Sequence, residues 1–159
     1  MVDLSGSIQF CSIKATLPSG LMGGVYFETA GATPALFNNY AYSQLTVPFS
    51  GVWSVAQNIN ITAERVGNTV TLSLGGWNFA ASTAGVILTA VGALPSVFCP
   101  TTGTVYLTGV VVNNSVDTLG MIAVSPQGAI TVSILGANFA TTGLAGWQKL
   151  ALTYTTIPL

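Results

Sequence analysis

From Asn58 to Leu74 the chain alternates apolar and polar residues on both sides of a Gly-Asn pair, and this pattern restricts the fold more than any other feature. Ile59, Ile61 and Ala63 share one side of the first run, and Asn60, Thr62 and Glu64 the other. In the second run Val70, Leu72 and Leu74 alternate with Thr69, Thr71 and Ser73. A period of two puts successive side chains on opposite faces, as a strand does and a helix does not. Val66-Gly67-Asn68 lies between the runs, and Gly and Asn both tolerate positive φ. The spacing predicts Ile59 to Arg65 paired antiparallel with Thr69 to Leu74. A second hairpin is predicted from Met121 to Val124 and Ala129 to Leu135, joined by Ser125-Pro126-Gln127-Gly128. Pro at the second position and Gly at the fourth suit a type I turn.

Further runs of this kind are Ser7 to Ile13, Gly24 to Glu28, Ser43 to Val47, Val52 to Gln57, Val86 to Val91, Val105 to Val112 and Lys149 to Thr155. Together they predict an all-β chain of about nine or ten short strands, an antiparallel β-sandwich of jelly-roll type, with under about a tenth helix. A faint repeat supports two similar halves: Gly67 to Leu74 leads to Trp77-Asn78-Phe79-Ala80, and Gly128 to Leu135 leads to Ala137-Asn138-Phe139-Ala140. The 159 residues are read as a single domain. Residues 1–40 are less regular, an arm or extra strands.

Charge is scarce: three basic and four acidic residues, no histidine, and 50% hydrophobic residues. A membrane helix needs about 20 consecutive apolar residues. The uncharged stretch between Arg65 and Asp117 is broken by Gly, Asn, Ser, Thr, Pro95 and Pro100, so membrane insertion is not expected. No basic region precedes an apolar stretch at the N-terminus, so no secretory signal is expected. Three scattered basic residues do not form a phosphate-binding surface, which excludes nucleic acid as an expected partner. A surface of Thr, Ser, Asn and apolar groups lacks the mixed charge that keeps monomers apart, so a homo-oligomer is expected.

The residues for catalysis are missing. Without His, neither a Ser nor a Cys nucleophile has its usual base. No paired carboxylates occur, and the adjacent Glu64 and Arg65 point to opposite faces of a strand. An enzyme, a metal site and an organic cofactor are therefore not expected. Cys11 and Cys99 could pair, but two buried thiols fit burial statistics better. Two sequons, Asn60-Ile61-Thr62 and Asn113-Asn114-Ser115, are read as unmodified. Most aromatics are expected in the core or an interface. If a recognition site exists, its residues are expected at Trp77, Asn78, Phe79, Asn138 and Phe139, in loops after strands.

Several segments, taken in order, resemble a known group. Phe49-Ser-Gly-Val-Trp53 precedes Ile61 to Leu72, with its Arg-Val-Gly-Asn-Thr-Val-Thr-Leu hairpin. Leu94-Pro95, Val110 to Asn114, Leu119 to Val132, Phe139 to Gly143, Gly146-Trp147 and Leu152 to Tyr154 follow. From about Tyr40 onward this resembles β-sandwich fibre-head, baseplate and minor capsid modules of tailed phages and large DNA viruses. Phe98-Cys99-Pro100 departs from the Phe-Arg-Pro of that group. The resemblance implies a trimeric structural protein on the virion surface, a fibre head or receptor-binding module mediating host attachment. Its partners would be its own copies, other virion proteins and a host surface glycan or protein. The alternatives are a minor capsid or cement protein that binds no receptor, and a lectin-like adhesion module outside viruses. The shared motifs are turns and strands, so they assign no functional residue.

Overall fold

The computed structural model describes residues 25–27, 35–37 and 40–156. Among them the only helical element is a 3₁₀ turn, Ser96–Phe98. Strands β1 (Val25–Phe27) and β2 (Ala35–Phe37) form a separate antiparallel pair. The other ten strands form one sheet: β3 (Tyr40–Ser50), β4 (Gln57–Val66), β5 (Thr69–Leu74), β6 (Trp77–Ala80), β7 (Ile87–Thr89), β8 (Val105–Asn113), β9 (Val116–Val124), β10 (Ile130–Ile134), β11 (Leu144–Trp147) and β12 (Leu150–Thr155). Their order across the sheet is β12-β5-β4-β3-β7-β10-β9-β8-β11-β6, and every pairing is antiparallel.

Both predicted hairpins are present. In the β4–β5 pair Val66 faces Thr69 across Gly67-Asn68, and Ile61 faces Leu74. Gly67 has φ +60°, the left-handed value this tight turn requires. In the β9–β10 pair Ile130 faces Val124 and Ile134 faces Gly120. The carbonyl of Ser125 accepts from the amide of Gly128 at 3.0 Å, closing the predicted turn.

The sheet curls into a half-barrel, and one ribbon shows how. β5 and β12 pair with Leu74 facing Leu150, and β6 and β11 pair with Trp77 facing Trp147. The same register runs through both ladders, although they lie at opposite ends of the strand order. The ribbon turns its corner at Gly75-Gly76 and Gln148-Lys149, and carries the chain from one wing of the sheet to the other. The inward rows of the wings meet there. Phe49 of β3 packs on Trp147 with ring centroids 5.1 Å apart, and Trp53 lies 6.3 Å from Trp147. Ile59, Ile61, Leu72, Leu74, Ile122, Ile130 and Val132 fill the space between the wings and are essentially inaccessible to solvent. The fold is all-β, antiparallel and curled.

Several expectations change. Val52 to Gln57 is not a strand: residues 51–55 form bends and β4 starts at Gln57. Gly51 has φ +116° against the carbonyl of Val86, and both Val52 and Trp53 turn inward, which strand alternation forbids. β2, β6 and β11 are additional strands of three or four residues. The run Ser7 to Ile13 lies outside the described residues, as do Asp3, Cys11, Lys14 and Glu28.

Candidate functional site

Trp77, Asn78 and Phe79 lie on the edge strand β6 rather than in a loop. Trp77 and Phe79 are two residues apart, so they share a face, and their rings stack at 5.9 Å with an 18° tilt. Phe79 is exposed, and Asn78 is exposed on the other face. The indole N–H of Trp77 is buried and has no hydrogen-bond partner among the described residues. The second Asn-Phe pair is placed differently. Phe139 is 1% exposed and belongs to the core, anchored by its amide on the carbonyl of Gly85 at 2.9 Å, while Asn138 is exposed. Phe139 therefore presents no ring to a ligand. The repeat in sequence puts one Phe outside and its counterpart in the core.

The loops that follow the two Asn-Phe pairs do meet at one end of the half-barrel, around the β8–β9 turn. Asn113 Oδ1 accepts from the amide of Ala140 at 2.8 Å, and Thr142 Oγ1 bonds Asn114 Oδ1 at 3.2 Å. The amide of Ala81 donates to the carbonyl of Gly143 at 2.9 Å. Asn114 and Ser115 hold φ of 50° and 65°, which fits the two-residue hairpin turn they form.

The two outer faces of the sheet differ in chemistry. On β3 and β4 the outward row is Tyr40, Tyr42, Gln44 and Thr46 beside Asn60, Thr62 and Glu64. Gln44 faces Thr62 and Thr46 faces Asn60 in register. Gln44 Nε2 donates to the Tyr42 hydroxyl at 3.0 Å, and Thr46 Oγ1 to Asn60 Oδ1 at 2.8 Å. A shallow depression of about 420 Å³ lies over Gln44, Thr46, Asn60 and Thr62. The outer face of β7, β10, β9 and β8 is more apolar: it carries Leu88, Tyr106, Val110, Leu119 and Leu135, all exposed, and Met121 and Ala123, half-buried, interspersed with Thr108, Thr131 and, at one end, Asp117. The sequence pointed to a strand from Ser43 to Val47, but not to an outward row that is polar on one wing and more apolar on the other.

Among the described residues no three of His, Cys, Asp and Glu come together as a metal site. Arg65 is spent on the carbonyls of Gly67 at 2.7 Å and Val97 at 2.8 Å. Asp117 accepts from Gln148 Nε2 at 2.8 Å. Cys99 is buried, which pushes its thiol pKa up. Burial, and then the nearby Cys99, push the phenol of Tyr154 well above the tyrosine range; its hydroxyl donates to the carbonyl of Phe98 at 2.6 Å. Both groups stay protonated and serve packing. No described helix is long and apolar enough to cross a membrane.

No known protein family and no curated protein matches this sequence. Among solved structures, the fold is similar to that of a reovirus attachment protein, sigma1, determined in complex with alpha-2,3-sialyllactose. The TM-score is 0.53 at 14% sequence identity, over 91% of this chain and 81% of that one. At this identity the likeness is one of fold, and the fold that this chain resembles is that of a viral attachment protein.

Proposed function

We propose that this protein is a structural component of a virion surface, a fibre-head or receptor-binding module that attaches the particle to its host by binding and not by catalysis. The observation that carries the reading is the likeness of fold to a viral attachment protein over nine-tenths of the chain, 91%. The corner at Gly75-Gly76, where a ribbon changes wing without losing register, supports a jelly-roll winding. A host glycan or protein is the partner this reading requires, and the reovirus neighbour, solved with sialyllactose, supports a glycan. The protein assembles as a homo-oligomer, a trimer by the family resemblance. The outer face of β8, β9 and β10 supports self-association: Tyr106, Val110, Leu119 and Leu135 are exposed there and Asp117, at one end of β9, is its one charged side chain, so a second copy gains apolar burial against little repulsion.

That same apolar face also favours the alternative of a minor capsid or cement protein, which would bind virion neighbours and no receptor. Two measurements separate the readings: binding of the purified chain to host cells, and labelling of the parent particle with an antibody to this chain. Surface labelling with saturable cell binding supports attachment. Surface labelling without cell binding supports cementing. A chain absent from particles would overturn both.

A further inference from the structure

We infer that the outer face of β3 and β4 is a binding site for a neutral oligosaccharide, a proposal that rests on the attachment reading and locates its receptor site. The residues are Tyr42, Gln44, Thr46, Asn60 and Thr62, with Tyr40 at the margin.

The first argument is the donor and acceptor inventory. Asn60 Oδ1 is occupied by the Thr46 hydroxyl at 2.8 Å, which orients the amide and leaves its two N–H donors for a ligand. Gln44 Nε2 is engaged on Tyr42 at 3.0 Å, which leaves the Gln44 carbonyl oxygen as an acceptor. Among the described residues no side-chain hydrogen bond engages the Thr62 hydroxyl. Donors and acceptors thus alternate over two adjacent strands about 5 Å apart, a spacing that suits hydroxyls on one sugar ring. The two internal hydrogen bonds hold these side chains in place before binding, so less conformational entropy is lost.

The second argument is the aromatic flank. Tyr40 and Tyr42 are 41% and 50% exposed and stand two residues apart on the outward row. A half-exposed tyrosine supplies a rigid apolar ring with a polar tip, the partner for a pyranose that has one apolar face and a hydroxyl rim. The depression of about 420 Å³ lies beside them, over the polar row.

The third argument is charge. The only charged side chain on these two outward rows is Glu64, opposite Tyr42. Arg65 alternates to the other face and is engaged by two backbone carbonyls. Lys149 precedes β12, which is separated from β4 by β5. Among the described residues no cation stands on these two rows, and a carboxylate on the ligand would meet a like charge, Glu64, at their margin. The class is therefore a neutral saccharide, and an acidic group on it contributes nothing.

The test uses the full chain and a panel of lactose, N-acetyllactosamine, maltotriose and alpha-2,3-sialyllactose, titrated by calorimetry and by amide chemical shifts. At least one neutral member is expected to bind saturably, with shifts centred on residues 42–46 and 60–62. Asn60→Ala and Gln44→Ala each weaken that binding about tenfold, Tyr42→Ala weakens it, and Val116→Ala, at an exposed position on β9, leaves it unchanged. Sialyllactose binds no tighter than lactose. All the substituted side chains are exposed or half-exposed, and unchanged amide spectra elsewhere confirm folding. No neutral binding, or binding that survives both amide substitutions, overturns the site. If host cells are still bound in that case, attachment stands through another surface; if they are not, attachment falls with it.

Discussion

Gly109 on β8 lies directly against Leu150 on β12: a Cβ on that glycine would sit 2.8 Å from Leu150 Cδ2. The two strands belong to opposite wings of the sheet, and the missing side chain lets the wings close. Gly109 faces Gly120 across the β8–β9 ladder, and a Cβ on Gly120 would meet Val111 Cγ1 and lie 2.8 Å from the backbone oxygen of Ser133. Gly109→Ala presses only on the far ends of two side chains, Leu150 and, at 3.1 Å, Ile122, whereas Gly120→Ala meets a β-branched side chain and a backbone. Urea unfolding should show Gly120→Ala destabilised by about 1–3 kcal/mol and Gly109→Ala by clearly less. Equal losses would refute this account of how the wings meet.

The amide network of the core depends on Trp53, whose indole N–H donates to the carbonyl of Ala145 at 3.0 Å across the half-barrel. Trp53→Phe keeps most of the apolar bulk and orphans a buried acceptor. A loss of about 1–3 kcal/mol is expected in chemical denaturation, with an unchanged circular dichroism spectrum.

Stability should fall at alkaline pH. The thiol of Cys99 and the phenol of Tyr154 both have raised pKa values in the folded protein, through burial first. A raised value means the folded state holds the proton longer than the unfolded chain does. Their contribution is whole below the unfolded values, about 8.5 for Cys and about 10 for Tyr, and is lost as pH rises above them. The unfolding free energy should be level to about pH 8 and then decline by up to about 1.4 kcal/mol per pH unit for each group. Tyr154→Phe should start lower, having lost its bond to Phe98, and decline less steeply above about pH 10. A wild-type curve still level a full unit above the ordinary tyrosine value would contradict the burial of both groups.

Cys99 should also be slow to react. Its sulfur is buried at 3.5 Å from the carbonyl of Leu94 and 3.4 Å from that of Pro95. In a Cys11→Ser background an aromatic disulfide reagent at about pH 8 should modify it at a rate set by unfolding, and at once in denaturant. Rapid labelling of the native protein would place the thiol at the surface.

Light scattering addresses self-association. The intact chain should be an oligomer at micromolar concentration. Leu119→Lys, on the apolar outer face, should shift it toward monomer while leaving the melting temperature of the monomer within a few degrees, since Leu119 is 51% exposed. A monodisperse wild-type monomer would remove the support that this face lends to assembly.

Alternation at period two made the hairpins from Ile59 to Leu74 and from Met121 to Ile134 legible, because their strands are half-buried and each turn carries a residue suited to its φ; the earlier start of β9, at Val116, was not legible. The scarcity of charge was equally legible, and with it the absence of a histidine-based nucleophile. Local pattern says nothing of which strands become neighbours when they lie far apart in sequence. β6 and β11 are four residues each, too short for a period to emerge, and they exist as strands because they pair with one another. The candidate residues divided for the same reason. Phe79 and Phe139 follow the same local pattern, yet one is 44% exposed and the other 1%, since burial is set by what the curled sheet brings over each position. The outward polarity of β3 and β4 was written in Tyr42, Gln44, Asn60 and Thr62, but their assembly into one surface required the register that places Gln44 beside Thr62 and Thr46 beside Asn60. The sequence by itself determined strand, turn and inside-versus-outside preference, all set by neighbours along the chain. Only the tertiary structure decided which faces the closing sheet would cover and which it would leave exposed, because covering a face takes contacts between strands distant in sequence, such as Gly109 against Leu150.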